Sequence, residues 1–451
     1  MSAGDGMTGP SLGTAPDAGS RAEAARIFIE CTSTLSSPYN TGIQRASRNL
    51  VAASLSLPGP WACTAVAYNG RHLVAVDAPP SRAAPRNRPS ASERLRAAFH
   101  GARAAAVRAL PAAAVSKALH SQRLEYALRR AVHGTQNAAS WLGSFADAQP
   151  RVEFARGDTL VLLDPSWNVD LSAELDRARS AGAKVWVVVN DLIPIDFPEL
   201  APEGSPTLMR KWLRRVAARA DGMLAISRST ADDLRVYLAG AHAARAKSLP
   251  VDFFYLGAGL DPEPGDEPLT AVTQACEADC AFLMVGTLEP RKNYSMTVEL
   301  FDRMWADGSE ARLLIFGRVG WKSETLARHL RSHRQRNRRL FWFESGSDRE
   351  LEYAYRHAAA LIFPSRCEGF GLPMVEAMQY GLPVIASDIP VFREIGGDYP
   401  VYCTVNDQRM LERALHRECI QQGAAHRRAR RPWLSWPESA RMLLEKVSAS
   451  P

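Results

Sequence analysis

The chain has no uncharged apolar stretch of the roughly 18–20 residues that a membrane-spanning helix requires. Its opening, MSAGDGMTGPSLGTAPDAGSRAEAA, lacks the basic start and apolar centre of a secretory signal. Residues 1–24 are small, polar and Gly/Pro-rich, so they read as a disordered leader, and a cytoplasmic protein is expected. Cysteine is scarce: seven in 451 residues, too few and odd in number for a disulfide framework. Cys31, Cys63, Cys367 and Cys403 lie in or beside apolar runs and read as buried thiols. Cys276 and Cys280 have no histidine or second cysteine pair at zinc-ligand spacing. A convincing Asp-x-Asp pair is also missing. No metal site and no cofactor are therefore expected.

Acidic residues are outnumbered, 48 against 55 Lys and Arg, leaving a formal charge of +7. The excess gathers in RHLRSHRQRNRR (328–339), in HRRARR (426–431) and in an Arg/Ala-rich stretch before residue 150. A nucleic-acid binder of this charge should show a recognised binding fold or an aromatic stacking motif. Neither occurs, so no nucleic acid is expected as a partner, and each run alone reads as a solvated helix face. Peripheral contact with an inner membrane leaflet stays open, since each Lys or Arg near anionic lipid contributes roughly 1 kcal/mol.

What the chain does have is apolar residues, 46 % of the total, enough for two or three cores. ARIFIECT (25–32) reads as a strand that runs through STLSSPYNTGIQ into a helix, RASRNLVAASL. WACTAVAY (61–68), DTLVLLD (158–164), KVWVVVND (184–191) and DGMLAIS (221–227) follow. Near-continuous apolar runs of this kind suit parallel strands buried on both faces. Residues 80–150 differ: Pro/Arg-rich, then helix-favouring Ala, Leu and Arg interrupted by Pro111. They form either a helical layer packed on the first domain or a helix lying on a membrane surface. After FFYLGAGLD (253–261), DPEPGDEPLTAV reads as a linker. The grammar then repeats in AFLMVGT (281–287), ARLLIFG (311–317), RLFWFE (339–344), ALIFPS (360–365), PVIASD (383–388) and PVYC (400–403), with helices between. RPWLSWPESARMLLEKVS closes the chain with a Ser435–Glu438 capping pattern before an apolar-periodic helix. The expectation is an α/β protein of two doubly wound domains, 25–262 and 275–425, facing a cleft, with 426–451 as a helix crossing back to the first. Ligands in such folds bind beyond the carboxyl ends of the strands.

Two strings carry chemistry. In LIFPSRCEGFGLPMVEAMQYGLPVIASD, a buried strand ends at Pro364-Ser365 and Pro373 is placed to start a helix. Gly369 and Gly371 allow close backbone approach, and the amides of Phe370, Gly371 and Leu372 lie near a helix N-terminus that favours anions. Glu368 in the loop and Glu376, expected in the first helical turn, are suited to accept hydrogen bonds from sugar and ribose hydroxyls. In VGTLEPRKN (285–293), a strand ends at Gly286, and Arg291 and Lys292 offer a planar fork and a compact charge to a diphosphate. Asn293 is placed to cap the next helix.

The spacing Glu368-x7-Glu376 in EGFGLPxxEAM resembles the signature of family 4 glycosyltransferases, which have the GT-B architecture. That resemblance implies that Glu376 binds the nucleotide ribose, that Glu368 contacts the transferred sugar, and that Arg291 and Lys292 neutralise the leaving diphosphate. FGRVGW (316–321), with Gly317, and SGSDRELEYAYRHA are similar to further stretches of the family, the first in its bacterial mannosyltransferases. NTGIQR (40–45) looks like the family's glycine loop, bringing Gly42 near the donor phosphates or the acceptor, with Arg45 opening the helix. NDLIPIDFPE (190–199) is similar to a segment that usually carries His-Asp. Asn190 stands in the His position, leaving Asp191 either as a partner of the acceptor hydroxyl or as a simple chain turn. The function implied is retaining transfer of a hexose, mannose favoured, from a nucleotide-diphosphate sugar (GDP-mannose favoured) to a saccharide or lipid-linked saccharide, as in polysaccharide or O-antigen biosynthesis, without metal. The catalytic set is then Glu368, Arg291, Lys292 and Asp191. The alternatives are a GT-B UDP-sugar epimerase and a non-catalytic basic protein that binds polyanions or membranes.

Overall fold

The computed structural model describes residues 25–37, 42–77, 150–240, 244–260, 270–277, 280–420 and 428–449. The leader, nearly all of the 80–150 insertion and most of the linker lie outside these residues.

The first sheet has seven strands: β1 (Ala25–Glu30), β2 (Trp61–Tyr68), β3 (Leu73–Ala75), β4 (Thr159–Leu162), β5 (Lys184–Val189), β6 (Gly222–Ala225) and β7 (Val251–Phe253). Their order is β3-β2-β1-β4-β5-β6-β7. All pairs are parallel except β2–β3, which is antiparallel. The second sheet comprises β8 (Ala281–Val285), β9 (Arg312–Phe316), β10 (Leu340–Phe343), β11 (Ala360–Phe363), β12 (Val384–Ser387) and β13 (Val401–Cys403). It is ordered β10-β9-β8-β11-β12-β13 and is parallel throughout. Strands such as β4 and β11 are buried at every position because helices cover both faces. The short strands β3 and β7 had no apolar run long enough to announce them.

In both sheets the strand order reverses once, between β1 and β4 and between β8 and β11. Chains leaving neighbouring strands there run to opposite faces, which opens a crevice at the carboxyl edge. The architecture is α/β, GT-B, with two such crevices turned toward each other.

The halves are tied together at several points. The terminal helix Trp436–Ala449 buries Ala440, Leu443, Leu444 and Val447 in the same apolar cluster as Leu50 and Val51 of the helix Gly42–Ser56. Its capping box forms as expected: the Ser435 amide donates to Glu438 Oε2 at 2.7 Å and the Glu438 amide to Ser435 Oγ at 3.4 Å. Trp61 Nε1 reaches Ser448 Oγ at 2.9 Å. Cys31, Cys276, Cys367 and Cys403 are buried and Cys63 is half-buried, whereas Cys280 is disulfide-bonded, a state the sparse count did not anticipate. No helix among the described residues is long and apolar enough to cross a membrane.

Candidate functional site

β8 and β11 are neighbours in the second sheet, so the loops leaving them share one crevice. After β8 the chain turns at Gly286 (φ 135°) and tightens into a single 3-10 turn, Pro290–Lys292. After β11 it forms the loop through Glu368 and starts the helix Leu372–Gln379, with Pro373 in its first turn. The loops are stitched together where the Arg366 amide donates to Arg291 O at 2.8 Å.

Both cations converge on Glu368. Arg291 lies 2.5 Å from Oε2, and Lys292 Nζ lies 2.5 Å from Oε1. Arg291 Nε also pairs with Glu289 at 2.8 Å, and Lys292 Nζ stands 4.9 Å over the Phe363 ring. These side chains are nearly buried. Burial alone would raise the Glu368 carboxyl, but Arg291 and Lys292 outweigh it and hold its pKa at about 2. Arg291 is raised: burial opposes its charge, yet Glu368, Glu289 and Asp191 more than compensate. Lys292 is lowered, because burial outweighs the pull of Glu368. Asp191, at the end of β5 in the other half, is raised by burial, with Arg291 the main charge opposing that shift. The structure thus brings Glu368, Arg291, Lys292 and Asp191 into one electrostatic group that spans both halves. Asp191 also caps a turn, its Oδ1 accepting from the Ile193 amide at 3.0 Å, as the chain-turn reading of this residue expects.

Glu376 is placed differently from the expectation. It is the fifth residue of its helix, on the second turn rather than the first, and only 1 % exposed. Its Oε1 is paired with Arg45 from the first half, and its Oε2 accepts from Tyr355 Oη at 2.8 Å. Arg45 therefore does more than open a helix. Asn293 occupies the N-cap position of the helix Tyr294–Ala306, but with φ 60° its side chain makes no cap and donates instead to Asn406 Oδ1 at 2.9 Å.

Two of the glycines serve the protein's own packing. A β-carbon on Gly369 would fall 2.1 Å from Asn190 O, so this residue lets the two halves touch, and its carbonyl accepts from Ser227 Oγ at 2.8 Å. A β-carbon on Gly317 would lie 1.9 Å from Gly286 O. Gly42 begins its helix, and a β-carbon there would meet no atom of the described residues within 4 Å. Phe370 is buried, 5.9 Å from the Trp433 ring. The amide end at Gly371 and Leu372 heads the helix as expected, with Gly371 at φ 124°. Sequence reasoning missed the roles of Glu289, Arg45 and Tyr355. Glu289 stood in the string VGTLEPRKN, but nothing local marked its pairing with Arg291.

Among the described residues, Asp302, His329 and His333 alone cluster in a way that could hold a metal. The His333 Nδ1 accepts the Gln335 amide at 3.1 Å, which puts the proton on Nε2, 2.7 Å from Asp302 Oδ1. A cation would need that nitrogen's lone pair, so hydrogen bonding accounts for the group better.

Residues 271–430 match the family model for glycosyl transferases group 1. The match lies wholly within the C-terminal half and takes in both Arg291–Lys292 and Glu368. The chain is similar to the serotype-specific mannosyltransferase WbdA of Escherichia coli, at 36 % identity over 315 residues, 68 % of this chain and 38 % of that protein. The chain thus spans well under half the length of that relative. The O-antigen chain mannosyltransferase B of Escherichia coli is 33 % identical over 132 residues, 28 % of this chain and 33 % of its own. Among solved structures, sucrose-phosphate synthase from Thermosynechococcus elongatus shares the fold, with a TM-score of 0.52 at 16 % identity and 94 % of each chain covered.

Proposed function

We propose that this chain is a retaining glycosyltransferase of the family 4 type that transfers a hexose, with mannose as the favoured sugar and GDP-mannose as the favoured donor. The observation that carries the reading is the Arg291–Lys292 pair, held with Glu368 at the reversal point of the group 1 module. A diphosphate is the ligand that two buried adjacent cations suit best, and Glu368 keeps them charged and oriented until one arrives. The relatives' names, a serotype-specific mannosyltransferase and an O-antigen chain mannosyltransferase, support the choice of sugar and a saccharide acceptor, and a lipid-linked saccharide is the form of acceptor we favour with it.

In this mechanism the bond from the anomeric carbon to the donor phosphate oxygen breaks, and its electron pair leaves with the diphosphate. Arg291 and Lys292 stabilise that charge as it develops. The acceptor oxygen then bonds to the anomeric carbon from the face the phosphate left, and its proton passes to the departing phosphate oxygen. Asp191, raised by burial, lies near enough to Arg291 and Glu368 to orient the acceptor hydroxyl. Residues 25–262 take the acceptor, 275–425 the donor, and 426–451 ties the two together. No metal is assigned a role. The basic surface fits work on the cytoplasmic side, at the inner leaflet.

A thermal-shift panel of GDP-, UDP- and dTDP-sugars, followed by turnover with the best donor, tests this. A ligand that binds only the folded form raises the melting temperature. The expected result is stabilisation by one nucleotide family and transfer to a saccharide acceptor that chelator does not abolish. Epimerised sugar from donor alone would replace the reading with an isomerase. Salt-sensitive polyanion binding without response to any nucleotide sugar would replace it with a binding module.

A further inference from the structure

Arg45 and Glu376 are 331 positions apart in the chain and come from opposite halves, yet they form an ion pair with side chains 15 % and 1 % exposed. Glu376 is held from two directions. Tyr355, on the helix Asp348–His357 of its own half, donates to one carboxylate oxygen, and Arg45 engages the other. The Tyr355 ring stacks on Tyr380 at 5.6 Å with an interplanar angle of 7°, so that partner is fixed within the second half. Arg45 is fixed by the first half, and its guanidinium also donates to Gly259 O at 3.4 Å. Among the described residues, a β-carbon on Gly42 or on Gly259 would meet nothing within 4 Å. An ionised carboxylate has about four lone-pair positions, so each oxygen keeps one for a further donor.

We propose that Arg45 is a positioning residue for the nucleotide, fixing the Glu376 carboxylate so that its free lone pairs face a ribose, and making ribose recognition depend on the two halves being closed. The inference rests on the donor-site reading above and adds a residue from the other half to it. Arg45 does not touch the reacting atoms; it acts through Glu376. Neither Tyr355 alone nor a mobile carboxylate would hold that geometry, because one hydrogen bond leaves the Glu376 side chain free to turn about its last torsion.

The test compares binding of GDP and UDP with their 2′,3′-dideoxy analogues, by calorimetry on the full chain. The wild type should prefer the ribo form roughly ten- to a hundredfold, the value of hydrogen bonds to a charged group. Arg45→Met should shrink that preference to about threefold or less while its circular dichroism spectrum stays that of the wild type. Arg45→Lys, which restores a charge without the planar fork, should recover part of it. A merely structural Arg45 would weaken both nucleotides equally and leave their ratio unchanged, and that outcome overturns the proposal. If Arg45→Met does not fold, Arg45→Lys decides: a ratio equal to that of the wild type overturns it. A wild type that binds neither diphosphate, or binds ribo and dideoxy forms alike, sinks the donor-site reading itself. Wild-type discrimination that persists in both variants sinks only this one.

Discussion

Glu368 and its two cations form a closed electrostatic unit, and a donor diphosphate must compete with Glu368 for both. Replacing Glu368 by Gln keeps the shape but removes the competing charge. Nucleoside diphosphate should therefore bind Glu368→Gln at least as tightly as the wild type, while turnover falls by about a hundredfold or more as the sugar loses its carboxylate. Calorimetry and initial rates separate the two effects, and a variant with weakened binding and intact turnover would contradict the assignment. A second buried carboxylate, Glu30, lies at the end of β1. Burial chiefly, with nearby Asp164 adding, pushes its pKa from 4.5 up to about 8. The folded protein keeps this proton between those values whereas the unfolded chain gives it up. Glu30 therefore stabilises the fold at low pH, and that stability is lost progressively as pH rises from about 4.5 to about 8. Urea midpoints at pH 5.5 and 8.5 should show the decline in the wild type and a flatter response in Glu30→Gln. Neither residue's behaviour was readable as sequence. Glu368 was found because its motif is local, whereas Glu30 is silent because its neighbour Asp164 is brought by β4, far along the chain.

At the scale of elements, what was legible followed from burial on both faces. The apolar runs in ALIF and TLVL stand where β11 and β4 form, since a strand covered by helices has no polar face to break its pattern. β3 and β7 escaped because three residues carry no period, whereas the equally short β13 was found only as the close of a series of alternating strands and helices. Helix ends were legible where the cap is local: Ser435 and Glu438 exchange the expected capping bonds ahead of Trp436–Ala449. They were not legible where the cap comes from afar. The 12-residue helix Arg228–Ala239 has its first amides, on Arg228 and Ser229, bonded at 2.6 and 2.8 Å to Glu394 of the other half. This carboxylate satisfies two amides that the helix cannot, and its charge suits the helix N-terminus. Glu394→Ala should cost about 1 kcal/mol. It should also raise hydrogen exchange at the Arg228 and Ser229 amides, which mass spectrometry of the peptide would report. Unchanged protection there would mean that Ser227, whose Oγ accepts from the Thr230 amide at 3.1 Å, suffices to hold the helix end.

For the molecule as a whole, the two halves are closed by a return of the chain rather than by the linker alone. Residues 433–436 run beside 256–258: Trp433 Nε1 donates to Leu256 O at 2.8 Å and the Ala258 amide to Leu434 O at 2.9 Å. Ser439 Oγ continues the seam to Tyr255 O at 2.6 Å. Gly257 is what allows the approach, because a β-carbon there would lie 2.7 Å from both the nitrogen and the Cα of Trp436. The contact is with backbone, which cannot step aside as a side-chain tip can. The seam also touches the candidate site, since Trp433 and Tyr255 both pack against Phe370, two residues beyond Glu368. Gly257→Ala should therefore push the terminal helix outward, cost about 1–3 kcal/mol as overpacking, and lower the melting temperature by several degrees. Turnover should fall with it, because Phe370 loses the wall that holds the Glu368 loop. A variant that melts like the wild type would show that the return of the chain is loose enough to absorb a methyl group, and that the halves are held by Arg45, Asn190 and Glu394 instead.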